Sequence, residues 1–370
     1  MISPQAAYFL RLGATGFGGP IALVDRMERD LVAERGWYTP EEFGRGLALA
    51  QVAPGPLAAQ LAMYLGWLRG GLAGATVAGV AFVAPSFVLV LGIAAAYTGL
   101  GSMAWMRAAF YGVGAAVIAV LARSAFRLLT RTVPRHGWAW AVAALNAATV
   151  AFTGRELVSV VLVSGCVPLA VLASRRAGTA LAVAPALLSG AAASAGLSPS
   201  AGLLVFFAKA GALVFGSGLA IIPFLRGEVV DARGWLTEQQ FLDAVAVAML
   251  TPGPVVITVA FIGWLVDGLT GACAAALGVF APTWLAVILV APAYERIMSN
   301  PWLRAFADGV IAAASGALAG AVLVLARRSI VDVTTLLILL GAAVLLMWGR
   351  RIPEQVVLAA AAAAGLVVAR

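Results

Sequence analysis

Residues 17–56 read FGGPIALVDRMERDLVAERGWYTPEEFGRGLALAQVAPGP, and residues 215–254 read FGSGLAIIPFLRGEVVDARGWLTEQQFLDAVAVAMLTPGP. The two stretches align without a gap at an offset of 198 residues. Phe17-Gly18 pairs with Phe215-Gly216, Arg35-Gly36-Trp37 with Arg233-Gly234-Trp235, and Pro54-Gly55-Pro56 with Pro252-Gly253-Pro254. One residue is then lost. At an offset of 197, Gly66-Trp67 pairs with Gly263-Trp264, Gly71 and Gly74 with Gly268 and Gly271, and Pro85 with Pro282. Shared apolar composition does not align Trp, Gly and Pro in this way, so the chain carries two homologous halves. They divide it into residues 1–176, a linker membrane segment at 177–200, and residues 201–370.

Of the 370 residues, 63% are hydrophobic and 11% charged, and the mean hydropathy is +1.01. A soluble domain carries about 25% charged residues, so this is an all-α, polytopic membrane protein embedded in a lipid bilayer. Its net charge of +8 does not point to nucleic acid, because the arginines sit between apolar runs, where membrane proteins keep cytoplasmic charge. The N-terminus lacks the pattern of a cleavable signal. A spanning helix needs about 20 apolar residues. Runs fall near 5–25, 43–68, 71–99, 104–129, 138–153 and 156–174, then 180–197, then 203–225, 241–266, 269–294, 303–326, 333–349 and 353–369. That is about 13 membrane segments ordered six, one, six, and the odd linker predicts that the second half lies inverted in the membrane relative to the first.

The chemistry-bearing residues are few. Cys166 and Cys273 lie in apolar runs without partners at ligand spacing. His136 is the one histidine and Lys209 the one lysine, so there is no phosphate-binding GxxxxGK[ST] loop. No catalytic cluster and no cofactor or metal motif stands out, which argues against an enzyme. The polar stretches Asp25–Thr39 and Arg226–Thr237 read as amphipathic helices with an interfacial Trp at their ends. Thr39 with Glu42, and Thr237 with Gln240, have the spacing of capping boxes. Gly66, Gly70 and Gly74, and Gly316 with Gly320, allow close helix packing.

Pro54-Gly55-Pro56 and Pro252-Gly253-Pro254 interrupt apolar runs, and a helix cannot continue through them. Broken backbone at membrane depth must be buried in protein or line a cavity. Pro56 and Pro254 suit the first turn of a following helix, whose free N–H groups offer an anion site. Phe17-Gly18-Gly19-Pro20 and Phe215-Gly216-Ser217-Gly218 break the preceding segments similarly. Paired breaks in two halves point to a transport site; mere kinks are the plainer reading. Lys209 and Arg11 are equivalent cations, each six residues before the break. A charge within an apolar span is costly and usually functional, so both are candidate partners of a divalent oxyanion, although Arg11 could instead reach the interface. Gln51, Gln60, Ser86, Ser217, Thr251, Thr258 and Thr283 are polar groups near the breaks. Asp30 and Glu228 are equivalent acids in the polar stretches, and candidates for carrying a proton.

The segments FGGP, RGW-x-T-x-x-x-F, Q-x-x-PGP-x-x-x-Q-x-A-x-Y-x-G, FGSG, GWLTEQQF and TPGP-x-x-x-T-x-x-FIGW resemble the chromate ion transporter family in its long, two-domain form, over nearly the whole chain. The resemblance implies a chromate efflux carrier of the bacterial inner membrane, with halves of opposite orientation and chromate as an analogue of sulfate. A sulfate or other oxyanion carrier on the same scaffold is the alternative reading. A homodimer is compatible with this. Where the family often carries His, three residues after the FGGP proline, this chain has Leu23.

Overall fold

Thr39 and Thr237 begin matching helices of the two halves. Each hydroxyl accepts the N–H of Glu42 or Gln240, whose side chain accepts the threonine N–H in return. The computed structural model describes residues 3–17, 19–100, 103–133, 135–154, 156, 158–175, 198–213, 218–294, 299–348 and 352–368. The first half runs α1 (Pro4–Thr15), α2 (Gly19–Glu28), α3 (Pro40–Val52), α4 (Leu57–Leu100), α5 (Ala104–Thr132), α6 (Gly137–Thr153) and α7 (Val158–Arg175). The second runs α8 (Pro199–Leu213), α9 (Ile222–Arg226), α10 (Glu238–Leu250), α11 (Thr258–Val290), α12 (Pro301–Ser329), α13 (Val333–Trp348) and α14 (Glu354–Val368). The repeat extends to backbone detail. α5 and α12 both have 29 residues, and the π-helical turns Arg29–Glu34 and Gly227–Ala232 occupy equivalent positions. The predicted linker span at 180–197 lies outside the described residues.

Among the described residues, four helical stretches are long and apolar enough to cross a membrane by length and composition: Leu57–Leu100, Ala104–Arg131, Val255–Ala293 and Pro301–Ser329. Their outer faces expose Leu72, Val80, Val88, Leu277 and Leu289, a setting that only lipid satisfies over such an area. Run 43–68, counted as one segment in the sequence, folds back on itself. α3 has 13 residues, about 20 Å at 1.5 Å per residue, which is short of the roughly 30 Å apolar core. After Pro54-Gly55-Pro56 the chain returns along α3. A Cβ on Gly46 would lie 2.5 Å from the Tyr64 ring, Tyr38 donates to the Leu65 carbonyl at 2.8 Å, and Arg69 donates to the Trp37 carbonyl at 3.0 Å. This is a re-entrant hairpin closed at its base. α10 and the first arm of α11 form its counterpart around Pro252-Gly253-Pro254.

A second reversal follows in each half. Gly71 and Gly268 take φ of 55° and 57°, a left-handed conformation that suits glycine. The flanking glycines then meet at backbone distance: a Cβ on Gly66 would lie 2.3 Å from the Gly74 carbonyl oxygen, and one on Gly263 equally close to that of Gly271. The small-residue stripes are packing surfaces, and so are Gly316 and Gly320 of α12, which face the Ala143 and Ala147 carbonyls of α6.

The two halves are inverted. Tyr111, near the start of α5, donates to Asp332, just past the end of α12. At the opposite end, Arg127 and Arg131 of α5 share a cavity with Pro301 and Arg304 of α12. The equivalent helices α5 and α12 therefore run antiparallel. The halves are also interleaved. α6 and α7 pack on α12, while α13 and α14 pack on α5, a reciprocal exchange of terminal hairpins.

The repeated Arg-Gly-Trp motifs have a common structural cause. The Arg35 guanidinium stacks 4.8 Å from the Trp37 ring and 5.2 Å from Tyr8, and Arg233 stacks 4.7 Å from Trp235 and 4.9 Å from Phe206. One ion network is unmatched. Arg226, 1% exposed, binds Glu238 at 2.7 Å and Asp231 at 2.9 Å, and donates to the Gly154 carbonyl at 2.8 Å. Arg328 reaches the same two acids. The first half has Glu28, Ala33 and Pro40 where Arg226, Asp231 and Glu238 stand, so only the second half is clamped in this way.

Candidate functional site

The hairpin tips are held by the opposite halves. Gly55 (φ 138°) lies against Thr283 of α11, where an added Cβ would come 2.8 Å from Thr283 Oγ1 and 2.9 Å from Gln60 Nε2. Gly253 (φ 96°) lies against Ser86 of α4, where a Cβ would come 1.8 Å from Ser86 Oγ. Ser86 and Thr283 are themselves equivalent, each following the mid-helix Pro85 or Pro282. The Gly253 N–H donates to the Gly16 carbonyl at 2.7 Å, joining the second tip to the break that follows α1.

The second tip, at Thr251 and Gly253, and the residues flanking the first, Val52 and Leu57, line a cavity of about 830 Å³, within the range of small-ligand sites. Equivalent residues line it in pairs: Ile21 with Leu219, Gln51 with Met249, and Leu57 with Val255. Both halves therefore contribute equivalent residues to its wall. Thr251 and Gly253 are buried, while Arg131, Arg304 and Asp308 are exposed. Gln51 is exposed into the cavity. Helices α2, α4, α12 and α14 bring their N-terminal residues Gly19, Leu57, Pro301 and Glu354 to its wall, and helix N-termini favour anions. Arg127, Arg131 and Arg304 add three cations. Asp25, Asp308 and Glu354 also line it, Glu354 lying 3.7 Å from Arg127.

The cavity thus gathers Gly19, Gln51, Thr251 and Gly253 from the residues singled out in the sequence. Pro54, Gly55, Pro56, Pro252 and Pro254 form the turns that shape it. Gln60 is fully buried as a brace for the first tip: its Nε2 donates to the carbonyls of Ala53 and Pro54 at 3.1 and 2.8 Å, and its Oε1 has no partner. Thr258 is buried and turns its hydroxyl onto the Val255 carbonyl at 2.8 Å. Gly218 is buried against Val256. Gly18, Gly216 and Ser217 lie outside the described residues. Lys209 and Arg11 occupy exposed faces of α8 and α1 and do not line the cavity. Asp30 accepts from Tyr8 and pairs with Arg26 and Arg29, while Glu228 pairs with Arg233. The sequence did not single out Arg127, Arg131, Arg304, Ser315 or Glu354 as site residues. Arg127 and Arg131 read there only as loop charge, and Arg304 carries no motif.

Inverted halves, hairpins broken at paired Pro-Gly-Pro turns, a cavity lined by both halves, and an apolar exterior define a multi-pass membrane protein built as a transporter. The chain belongs to the chromate transporter family: the family model described as "Chromate transporter" matches twice, over residues 5–170 and 201–366. It is 50% identical over 333 residues to a "Probable chromate transport protein" of Synechococcus elongatus, covering 88% of this chain and 85% of that protein. It is 49% identical over 332 residues to a "Chromate transport protein" of Cupriavidus metallidurans, covering 88% and 83%. A "Chromate transport protein" of Pseudomonas aeruginosa is 34% identical over 350 residues, covering 88% and 82%. No solved structure matches the chain.

Proposed function

We propose that this protein is a secondary carrier that exports a divalent tetrahedral oxyanion, chromate, across the bacterial inner membrane. The observation that carries the reading is one cavity lined by equivalent residues of two inverted halves, with the broken tip at Thr251 and Gly253 on its wall and Val52 and Leu57, on either side of the first break, beside it. Arg127 and Arg131 belong to the basic stretch Arg123–Arg135, which the positive-inside rule assigns to the cytoplasm. The part of the cavity that these arginines line then faces the cell interior. Arg127, Arg131 and Arg304 draw the dianion in. Gln51, Thr251 and the backbone about Gly19 receive it, together with the helix N-terminus at Leu57. Inversion of the halves provides an equivalent opening on the other side. A potential that is negative inside favours exit by about 2.3 kcal/mol per charge per 100 mV, so export of a dianion needs no ATP.

The test is chromate counterflow by the purified protein in liposomes, with sulfate, molybdate and phosphate as competitors. Saturable chromate exchange that chromate itself competes best is expected. No exchange above protein-free liposomes would sink the carrier reading, and stronger competition by sulfate would reassign the substrate.

A further inference from the structure

Glu156 lies in the connection between α6 and α7, outside both helices, and its carboxyl enters a pocket of about 20 Å³, room for about one water. The walls are apolar: Leu162 of α7, Ala210 and Leu213 of α8, Ile221 and Phe224 at the broken start of the second half, and Val310 of α12. The Phe224 N–H donates to the carboxyl, and its Oε2 has no partner. Burial of the carboxylate, offset in part by that N–H, pushes the group up to about 8.

The charged neighbours do not relieve it. On α9, Arg226 is committed to Asp231, Glu238 and the Gly154 carbonyl. On α8, Lys209 stands on the exposed face, away from the lining residue Ala210. On α12, Arg304 and Asp308 line the large cavity, and Arg328, whose guanidinium lies near Gly154, is paired with Asp231 and Glu238. α7 adds no charged residue to the pocket wall. Among the described residues no ion pair includes Glu156.

The pocket adjoins the transport cavity. Ala314 lines both, and the consecutive residues Leu219 and Ala220 line the cavity and the pocket respectively. Glu354, at the start of α14, opens onto the large cavity beside Arg127.

We propose that Glu156 is a proton-binding site of the carrier, protonated while the segment Gly218–Phe224 closes over it and deprotonated when that segment moves away. Opening on this side then releases a proton, and closure takes one up, so transport depends on pH through this carboxyl. The proposal rests on the carrier reading above.

Two experiments separate it from that reading. The first uses purified protein in detergent and a hydrophobic carbodiimide, which attacks only protonated carboxyls. Modification of Glu156, mapped by mass spectrometry, is expected at neutral pH and should fade above about pH 8. Absence of modification at neutral pH, or modification undiminished well above that value, overturns the proposal whatever the protein transports. The second follows chromate counterflow between about pH 6 and pH 9 for the parent and Glu156→Gln. A severalfold pH dependence that Glu156→Gln flattens is expected. A parent profile that is already flat, or one that Glu156→Gln leaves unaltered, overturns it. If Glu156→Gln does not reach the membrane, Glu156→Asp should shift the midpoint of the profile, and an unshifted midpoint is equally fatal. Absence of counterflow at every pH would instead refute the carrier reading, with the labelling result still deciding the state of Glu156.

Discussion

Gly253→Ala tests whether the second tip is a built backbone device. Its φ of 96° is a conformation that L side chains rarely adopt, which costs on the order of 1–3 kcal/mol. The new methyl would also lie 1.8 Å from Ser86 Oγ and 3.0 Å from Ser86 Cβ, with the Gly13 carbonyl oxygen at 3.2 Å. Forcing α4 to yield adds about 1–3 kcal/mol, so the loss in stability should fall in the range of about 2–6 kcal/mol. Ser86→Ala alone removes a hydroxyl that donates to the Gly13 carbonyl at 3.3 Å and should cost about 1 kcal/mol. The two changes should not add. In the double variant the worst overlap is gone, leaving the strained φ and the contact with Cβ. The assay is thermal unfolding of the four proteins of the cycle in detergent, with chromate counterflow measured on each. A coupling of at least about 1 kcal/mol in the relieving direction is expected. Gly253→Ala that matches the parent, or strictly additive losses, would refute the contact between the second tip and the first half.

Gly55→Ala should behave likewise, with Thr283→Ala as its relieving partner, because Thr283 Cγ2 and Oγ1 stand 2.7 and 2.8 Å from the new carbon. Cysteines introduced by Glu34→Cys and Ala232→Cys should label from opposite sides of the membrane, and labelling of both from one side would contradict the inversion. Arg226→Gln should cost about 3–5 kcal/mol of thermal stability by stranding Asp231 and Glu238, read as a large fall in unfolding temperature. Arg304→Gln should weaken chromate binding severalfold at low salt, with a difference that shrinks as salt is added. Lys209→Gln should leave that binding unchanged, since Lys209 does not line the cavity; a loss equal to that of Arg304→Gln would return the cationic role to Lys209.

The inverted repeat was legible because it rests on residues whose backbone demands are local. Proline and glycine at 54–56 and 252–254 cannot continue a helix wherever they stand, and Thr39 with Glu42 caps one by spacing alone. Depth and facing were not legible. Run 43–68 has the length of a span, and its return along α3 depends on Tyr38 and Arg69 closing the hairpin base across many residues of sequence. Lys209 drew attention as a cation in an apolar run, yet an apolar helix has no polar face from which its orientation can be read. Its neighbours Phe206, Phe207, Ala210 and Gly211 are buried and Lys209 is not, a distinction made by packing against α11. Arg304 presents the converse case. It stands at the start of a helix in an ordinary interfacial position, and becomes a cavity residue only because α12 runs antiparallel to α5 and shares its basic end. The backbone repeat is thus a property of each half, whereas the polar lining arises where the halves interleave, with Arg226 on one side and open cavity on the other. Symmetry transfers tips and turns between halves, and does not transfer the charges that serve them.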